Sequence, residues 1–262
     1  MKNKKAELTT KHLVMIIVLI VSFIIVLFLL FRLNLGETTS KEICRNSVLL
    51  KHQTKVFSGP LDCRINYLCI SGGEDCEGIP TTSTIEVDPD KEETKKEIMK
   101  ALADEMSDCW WMFGEGKIDY ADRGTFSRTA CSICSIVEFD ETLHGTSISY
   151  EEFYNYLRTT PKTSSQIYLE YLYGTSTLDN LPQEDLLDSY LNKVLELDKT
   201  YFILTGMIKE GHLTRIGKFV SPIILAWRAF FATEEMPYPV VILERTQENY
   251  NKIGCDIFLT KA

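Results

Sequence analysis

Residues Leu13–Phe31 read LVMIIVLIVSFIIVLFLLF, a run of nineteen residues in which Ser22 is the only polar member. The run contains no charge, no proline and no glycine, so nothing in it interrupts a helix. At about 1.5 Å per residue, such a helix covers roughly the 30 Å hydrocarbon core of a bilayer. The Ser22 hydroxyl can bond to a carbonyl one turn earlier, which keeps its cost in lipid small. The stretch therefore predicts a transmembrane helix at 13–31.

The charges that flank this stretch predict its orientation, because positive residues are retained in the cytoplasm. Arg32 follows it directly and Lys41 comes further on. Four lysines precede it: Lys2, Lys4, Lys5 and Lys11. Residues 1–12 are therefore predicted to be cytoplasmic, with the rest of this single-pass cell-membrane protein outside. The apolar run is longer than that of a cleaved signal peptide and no A-x-A site follows it, which favours an uncleaved signal-anchor.

An alternative comes from Lys5-Ala6-Glu7, which resembles the processing site of archaeal type IV pilin-like precursors. In that family a peptidase cuts after the small residue, and the apolar helix then packs into a filament core. Lys11 and His12 interrupt the run where such a helix would already be apolar. A pilin-like filament subunit therefore stays an alternative, and processing after Ala6 stays open.

Residues 43–262 are predicted to form one extracytoplasmic domain, entered through a polar spacer at 32–42. No repeat and no linker rich in Pro, Gly or Ser divides this region. Beyond residue 35 the chain carries 23 Lys or Arg against 36 Asp or Glu, a net charge of −13. Such a field repels phosphate backbones, which argues against a nucleic-acid partner. The partners we expect are the bilayer, through Leu13–Phe31, and a protein at the cell envelope.

The cysteines all follow the apolar stretch, on the side of the membrane where disulfides persist. Their number is even, so complete pairing is expected, but eight cysteines allow 105 connectivities and the sequence does not choose among them. We expect at least one bridge within residues 59–80, GPLDCRINYLCISGGEDCEGIP, where turn residues replace regular structure. The candidates for disulfide bonds are Cys44, Cys63, Cys69, Cys76, Cys109, Cys131, Cys134 and Cys255.

Cys131-Ser132-Ile133-Cys134 is a C-x-x-C motif, so a thiol–disulfide oxidoreductase is a second alternative. That chemistry needs its attacking thiol at a helix N-terminus, where the thiol pKa is lowered. The surrounding residues Thr129–Phe139 (TACSICSIVEF) instead predict a largely buried strand. A strand would turn the two thiols to opposite faces, so structural bridges to other cysteines such as Cys109 are favoured.

A helix is predicted between Asp90 and Gly114, because Asp90 and Glu93 have the spacing of a capping box. Its apolar residues recur at three- and four-residue steps: Ile98, Leu102, Met106, Cys109 and Phe113. An apolar segment at Ile43–Val56, either a helix or a strand, precedes it. Ser149 and Glu152 predict a second capped helix that ends near Thr160.

The C-terminal half is predicted to mix strands and helices. A third helix starts at Pro182, and Phe219–Ala232 is predicted to be a core helix. Alternating apolar residues and β-branched side chains predict three strands: Tyr201–Ile208, Pro239–Leu243 and Cys255–Thr260. The last two are predicted to pair as a hairpin. Without regular βαβ alternation, these elements indicate an α+β domain with a mainly antiparallel sheet and several helices.

Trp110 and Trp111 form the most unusual local sequence, adjacent tryptophans at the end of a predicted helix. One is expected to point inward and the other to be half exposed, as a binding platform or simply as part of the core. No metal or cofactor site is indicated, because the histidines are scattered: His12, His52, His144 and His212. No catalytic motif is present either, so an enzyme is less favoured than a binding protein.

Several stretches resemble a group of uncharacterised archaeal single-pass membrane proteins, often from small-genome DPANN lineages. The matching residues are Glu42–Arg45, Ser47–Leu49, Ala103–Met106, Asp108–Trp111, Phe113–Lys117 and Cys131–Cys134. The resemblance covers most of the N-terminal half of the domain. It implies an anchored, exported protein with a cysteine-containing domain and assigns no catalytic residue. The expected function is therefore an anchored extracytoplasmic structural or interaction protein.

Overall fold

Helix α1 runs from Thr10 to Arg32 in the computed structural model. The structure describes residues 10–32, 35–54, 61–90, 93–120, 129–177, 193–209, 235–253 and 255–261. By their contacts, residues 1–40 and 41–262 form two separate units. Within α1, the large apolar side chains from Val14 to Val26 are 49–66% exposed. The Ser22 hydroxyl donates to the Leu19 carbonyl at 2.9 Å, the local bond that the sequence allows.

Side chains of α1 are described from residue 14 to residue 26. Over the described part of the chain, no helix combines the length and apolar character that crossing a membrane requires. The transmembrane helix at 13–31 therefore stays a prediction.

Helix α2 extends from Leu35 to Thr54 and occupies most of the region predicted as a spacer. Its sequence contains one glycine and no proline, which allows the helix to continue into the domain. Cys44 and Val48, four residues apart on one face, are almost completely buried. The apolar segment at Ile43–Val56 is therefore helical to Thr54.

The centre of the domain is a six-stranded sheet, with strand order β2-β1-β3-β8-β9 and β10 against β3. Its strands are β1 (Asn66–Ser71), β2 (Ser83–Glu86), β3 (Thr129–Phe139), β8 (Tyr201–Lys209), β9 (Glu235–Glu244) and β10 (Ile257–Phe258). Pairs β1–β2, β1–β3 and β3–β10 are parallel, whereas β3–β8 and β8–β9 are antiparallel. The α+β class is confirmed, and the central sheet is mixed: its two longest pairings, β3–β8 and β8–β9, are antiparallel, and its three shorter ones are parallel. The parallel pairing of β1 with β3 requires a crossover, and helix α3 (Thr94–Met112) lies between β2 and β3 in the chain.

Helix α3 (Thr94–Met112) packs on one face of this sheet. The five predicted inward residues are buried, at 0–1% exposure: Ile98, Leu102, Met106, Cys109 and Phe113. Gly114 follows with φ +81°, which ends the helix as predicted. The predicted capping box is wrong, because Glu93 is the N-cap and no side chain caps the helix. The Asp90 N–H bonds instead to the Asp88 carboxylate, and this turn delays the helix to Thr94.

Two shorter helices, α4 (Tyr150–Thr159) and α5 (Tyr168–Tyr173), contact α3 on the same face. The capping box of Ser149 and Glu152 is confirmed, with the Ser149 hydroxyl and the Glu152 carboxylate each accepting a backbone N–H. Two small antiparallel sheets flank these helices in the sequence. Their strands are β4 (Ser147–Ser149) with β7 (Val194–Glu196), and β5 (Pro161–Thr163) with β6 (Gln166–Ile167).

The C-terminal segment departs from the predicted hairpin. The strands at Tyr201 and Pro239 are confirmed within β8 and β9, but β10 contains only Ile257–Phe258 and pairs in parallel with β3. Helix α6 (Gln247–Ile253) lies between β9 and β10 and carries the chain away from β9, so the two strands do not pair. The helices predicted at Pro182 and at Phe219–Ala232 lie outside the described residues.

Candidate functional site

Four disulfide bonds pair all eight cysteines, and no thiol is left free. The bridge Cys69–Cys76 lies within the turn-rich stretch and confirms the local bridge expected there. The other three connect segments further apart in the chain: Cys44–Cys63, Cys109–Cys134 and Cys131–Cys255. These bonds tie α2, α3 and the C-terminal segment to the sheet or to the residues just before it.

The two cysteines of the C-x-x-C motif lie on opposite faces of β3, as the strand prediction requires. Cys134 bonds to Cys109 of α3, and Cys131 bonds to Cys255 at the other face. Cys131 and Cys134 are 0% and 1% exposed. The motif therefore supplies two structural cross-links, and its sulfurs share no bond with each other.

Trp110 and Trp111 differ in their exposure to solvent, as the sequence predicts. Trp110 is 3% exposed and belongs to the core, whereas Trp111 is partly exposed. The guanidinium of Arg45 lies 4.4 Å from the centre of the Trp111 ring and also donates to the Trp111 carbonyl. The Arg45 cation therefore stacks on Trp111 and links α2 to the end of α3.

Lys41 enters a second polar cluster beside this ring. Its ammonium group lies 3.0 Å from a carboxylate oxygen of Glu105 and 2.7 Å from one of Asp108. Glu105 is 5% exposed and also accepts hydrogen bonds from Asn66 and Ser135. Burial lowers the pKa of Lys41, but the two carboxylates outweigh this effect and raise it above its usual range. Lys41 of α2 thus bridges two carboxylates of α3 and holds the two helices together.

Two clefts flank strand β2, where the parallel strands β1, β2 and β3 end. The register places Ser71 of β1 beside Glu86 of β2, and Ile70 beside Phe139 of β3, so the three carboxyl ends meet at one edge. Ligands of open α/β sheets bind in the crevice outside such ends. This edge is therefore the candidate functional site.

The helix-side cleft, between β2 and α3, encloses about 760 Å³. Its apolar lining includes Ile85, Val87 and Ala101. Four carboxylates also line it, from Glu86, Asp88, Glu97 and Asp104. The single ammonium group in its lining, that of Lys100, lies 2.6 Å from the Asp104 carboxylate.

The loop-side cleft, on the other face of β2, encloses about 450 Å³. Its residues are polar, with Ser71 and Thr84 beside four carboxylates: Glu74, Asp75, Glu77 and Glu86. No basic residue lines this cleft within the described part of the chain. Since Glu86 lines both clefts, seven carboxylates and one ammonium group surround the end of β2. This excess of negative charge favours cationic ligands.

Asp140, directly after β3, shapes the loop between the two clefts. Its carboxylate, 1% exposed, accepts N–H bonds from Gly72 at 2.9 Å and Glu74 at 2.8 Å, and a hydroxyl bond from Ser71 at 3.1 Å. Gly73 between them has φ +133°, a conformation that L-residues with a side chain rarely adopt. Burial alone would raise the pKa of Asp140, but these bonds and one from Thr142 hold it below its usual range.

Replacing Asp140 by Asn is expected to lower the free energy of unfolding at pH 7 by about 2 kcal/mol. The backbone N–H groups that now bond to a charged carboxylate would then face a neutral amide. Because the pKa of Asp140 is lowered in the folded protein, its carboxylate stabilises the folded state at pH values above the unfolded pKa of about 3.9. This stabilisation is lost as the pH falls through the pKa of Asp140 in the folded protein. The difference between D140N and the wild type should therefore shrink toward pH 2. Urea unfolding at pH 7, 4 and 2 measures it. The control is Asp198→Asn, an exposed carboxylate; a constant D140N deficit across pH would contradict the expectation.

Neither a protein-family model, nor a curated protein, nor a solved structure matches this chain. The described residues contain no group of three His, Cys, Asp or Glu side chains arranged to hold a metal ion. The charge and lining of the clefts therefore carry the functional proposal. The sequence did not predict the clefts, because residues 59–80 predict turns rather than regular structure and no strand was predicted at Ser83–Glu86. The alternation in Ser83–Glu86 and the acidic residues after it were the signal available.

Proposed function

We propose that this chain is a membrane-anchored extracytoplasmic interaction protein, which binds a cationic partner in the clefts that flank β2. The observation that carries the compartment is the complete pairing of all eight cysteines within residues 41–262. Such bonds persist in oxidising surroundings and are rare in the cytosol. A domain with four bridges is therefore expected on the outer side of the membrane.

The anchor is supported by helix α1, whose 23 residues contain the apolar run. From Val14 to Val26 its large apolar side chains are about half or more exposed. A bilayer would bury these side chains, and the lysines before the run favour a cytoplasmic N-terminus. The resemblance to archaeal single-pass membrane proteins agrees with this placement.

Binding is a better match to the clefts than catalysis. Among the described residues, neither cleft is lined by a histidine or a cysteine, and the Ser71 hydroxyl in the loop-side cleft donates to the buried carboxylate of Asp140. The oxidoreductase alternative lacks its chemistry, because Cys131 and Cys134 are bonded to different partners. A filament subunit remains the alternative for the N-terminus, and N-terminal sequencing that begins at Glu7 would favour it.

Fractionation of cells that produce the full chain tests the proposal. Carbonate washing is expected to leave the protein in membranes, and protease added to intact cells should digest residues 41–262. Release by carbonate, or full protection from the protease until the cells are lysed, would contradict the anchor or its orientation.

Thiol counting tests the compartment independently. Protein isolated under acid quench is expected to react with no maleimide before reduction and with eight after reduction, because all cysteines are paired. The control is the same sample denatured without reductant, which should also remain unlabelled. Two or more reactive thiols in the denatured, unreduced sample would show that the bridges are incomplete where the protein resides.

A further inference from the structure

Strand β2 forms an open edge of the central sheet. In the described part of the chain β1 is its only neighbour, at the register Leu68–Ser83 to Ser71–Glu86. Its four residues alternate between partly and fully exposed, and Ile85 contacts the core while Thr84 and Glu86 face solvent. Strand β9, at the other end of the strand order, is different, because all five residues from Tyr238 to Ile242 are buried. An exposed edge presents backbone groups to which another strand can pair.

The two clefts lie on the two faces of this edge. Ile85 and Val87 line the helix-side cleft, while Thr84 lines only the loop-side cleft. Successive side chains of a strand point to opposite faces. A strand added beside β2 would therefore direct its side chains alternately into the helix-side and the loop-side cleft.

The lining of each cleft specifies the side chain that it accepts. The helix-side cleft has an apolar lining from Ile85, Val87 and Ala101, which suits aliphatic side chains. The loop-side cleft has four carboxylates and no basic residue among its described lining, which suits lysine or arginine. The complementary ligand is an extended segment in which aliphatic and basic residues alternate.

Charge argues against the other occupants of such an edge. A second copy of this chain would bring a second set of the same carboxylates to this edge, and the like charges would repel. A nucleic acid would bring phosphates to seven carboxylates. A basic polypeptide segment has the opposite charge and the backbone groups that the edge can pair with.

We propose that β2 binds its partner by strand addition, taking up an extended segment of another protein in which aliphatic and basic residues alternate. This inference rests on the proposed function and names the binding mode and chemical class of the partner. Main-chain hydrogen bonds then provide affinity, while the two clefts select alternate side chains.

A fluorescein-labelled, capped heptapeptide that alternates valine and lysine tests the proposal with the full chain in detergent micelles. Fluorescence anisotropy is expected to show saturable binding, and hydrogen exchange should slow at the amides of residues 83–87. Two further peptides carry N-methyl groups on all valines or on all lysines, with unchanged charge. Alternate N–H groups of a strand face opposite edges, so one methylated peptide should lose at least tenfold in affinity and the other much less.

Variants of the chain test the site. Glu86→Lys is expected to weaken binding at least tenfold. Glu196→Lys, which changes an exposed carboxylate on strand β7, is the matched control and should bind as the wild type does. Thermal unfolding verifies that both variants remain folded.

The outcomes separate the binding mode from the site. If both methylated peptides bind like the parent while Glu86→Lys still weakens binding, strand addition is overturned and an acidic binding cleft remains. If no peptide binds, or Glu86→Lys has no effect, both the strand addition and the assignment of the clefts as binding site are overturned. The membrane anchor is tested separately by the carbonate wash.

Discussion

The double substitution of Cys131 and Cys255 by alanine is expected to lower the free energy of unfolding by about 5 kcal/mol, the value for a loop of this size. The bridge joins residues separated by 124 positions, the longest separation among the four. In the chain-entropy account, a cross-link stabilises by removing conformations of the unfolded chain, and the gain grows with loop length. Urea unfolding under non-reducing conditions, followed by tryptophan fluorescence, measures the loss.

Cys69→Ala with Cys76→Ala is the matched control, because it also removes one bridge with a buried sulfur from a central strand. Its loop spans only 7 residues, so the expected loss is about 2 kcal/mol. Equal losses for the two double variants would contradict loop length as the cause. Hydrogen exchange adds a local readout, because β10 should lose protection only when Cys255 is released.

The short-range features of the fold were predictable from the sequence. Strand β3 has the predicted bounds, Thr129–Phe139, because its β-branched and small residues are buried along nearly the whole length. The α4 capping box, Ser149 with Glu152, was also predictable. Both depend on residues within a few positions of each other, where local spacing determines the structure.

Features set by distant parts of the chain were not predictable. Strand β10 has two residues and pairs with Ala130 and Cys131, more than 120 positions earlier, beside a disulfide. Nothing in its own alternation distinguishes this partner from β9. Likewise, β2 is only four residues long, and its parallel pairing with β1 depends on the loop that Asp140 holds from the end of β3.

Of the candidate site, only the negative charge was predictable from the sequence. The net negative charge of the domain was evident, but the carboxylates that surround β2 come from the loop after β1, from β2 and the residues after it, and from α3. Their convergence requires the crossover from β2 to β3. The contact of Arg45 with the Trp111 ring, 66 residues later, was likewise not predictable from local spacing.

Replacing Lys41 by methionine is expected to lower the free energy of unfolding by about 3 kcal/mol, the lower end of the range for breaking a buried ion pair from one side, because Glu105 is buried but Lys41 is 27% exposed. Methionine keeps most of the aliphatic stem, so the change removes little more than the ammonium group. Glu105, 5% exposed, would then keep its hydrogen bonds from Asn66 and Ser135 but lose its counter-charge. The same urea titration measures the loss.

Lys100→Met is the control, because it breaks an exposed lysine–carboxylate pair with a comparably short distance, 2.6 Å to Asp104. That side chain is 63% exposed, and exposed pairs of this spacing contribute about 0.5 kcal/mol or less. A loss of similar size in both variants would show that burial around Glu105 is not the cause.

The double variant Lys41→Met/Glu105→Gln separates a buried charge from lost packing. Glutamine keeps an oxygen to accept from Asn66 and Ser135 but carries no charge, so the double variant should recover to within about 1–2 kcal/mol of the wild type. No recovery would mean that the methionine itself is poorly accommodated.

The raised pKa of Lys41 also predicts how the effect depends on pH. The ion pair stabilises the folded protein at pH values below lysine's ordinary pKa of about 10.4, and this stabilisation is lost as the pH rises through the pKa of Lys41 in the folded protein. The deficit of Lys41→Met should accordingly be constant from pH 6 to pH 9, where the ammonium group of the wild type remains charged.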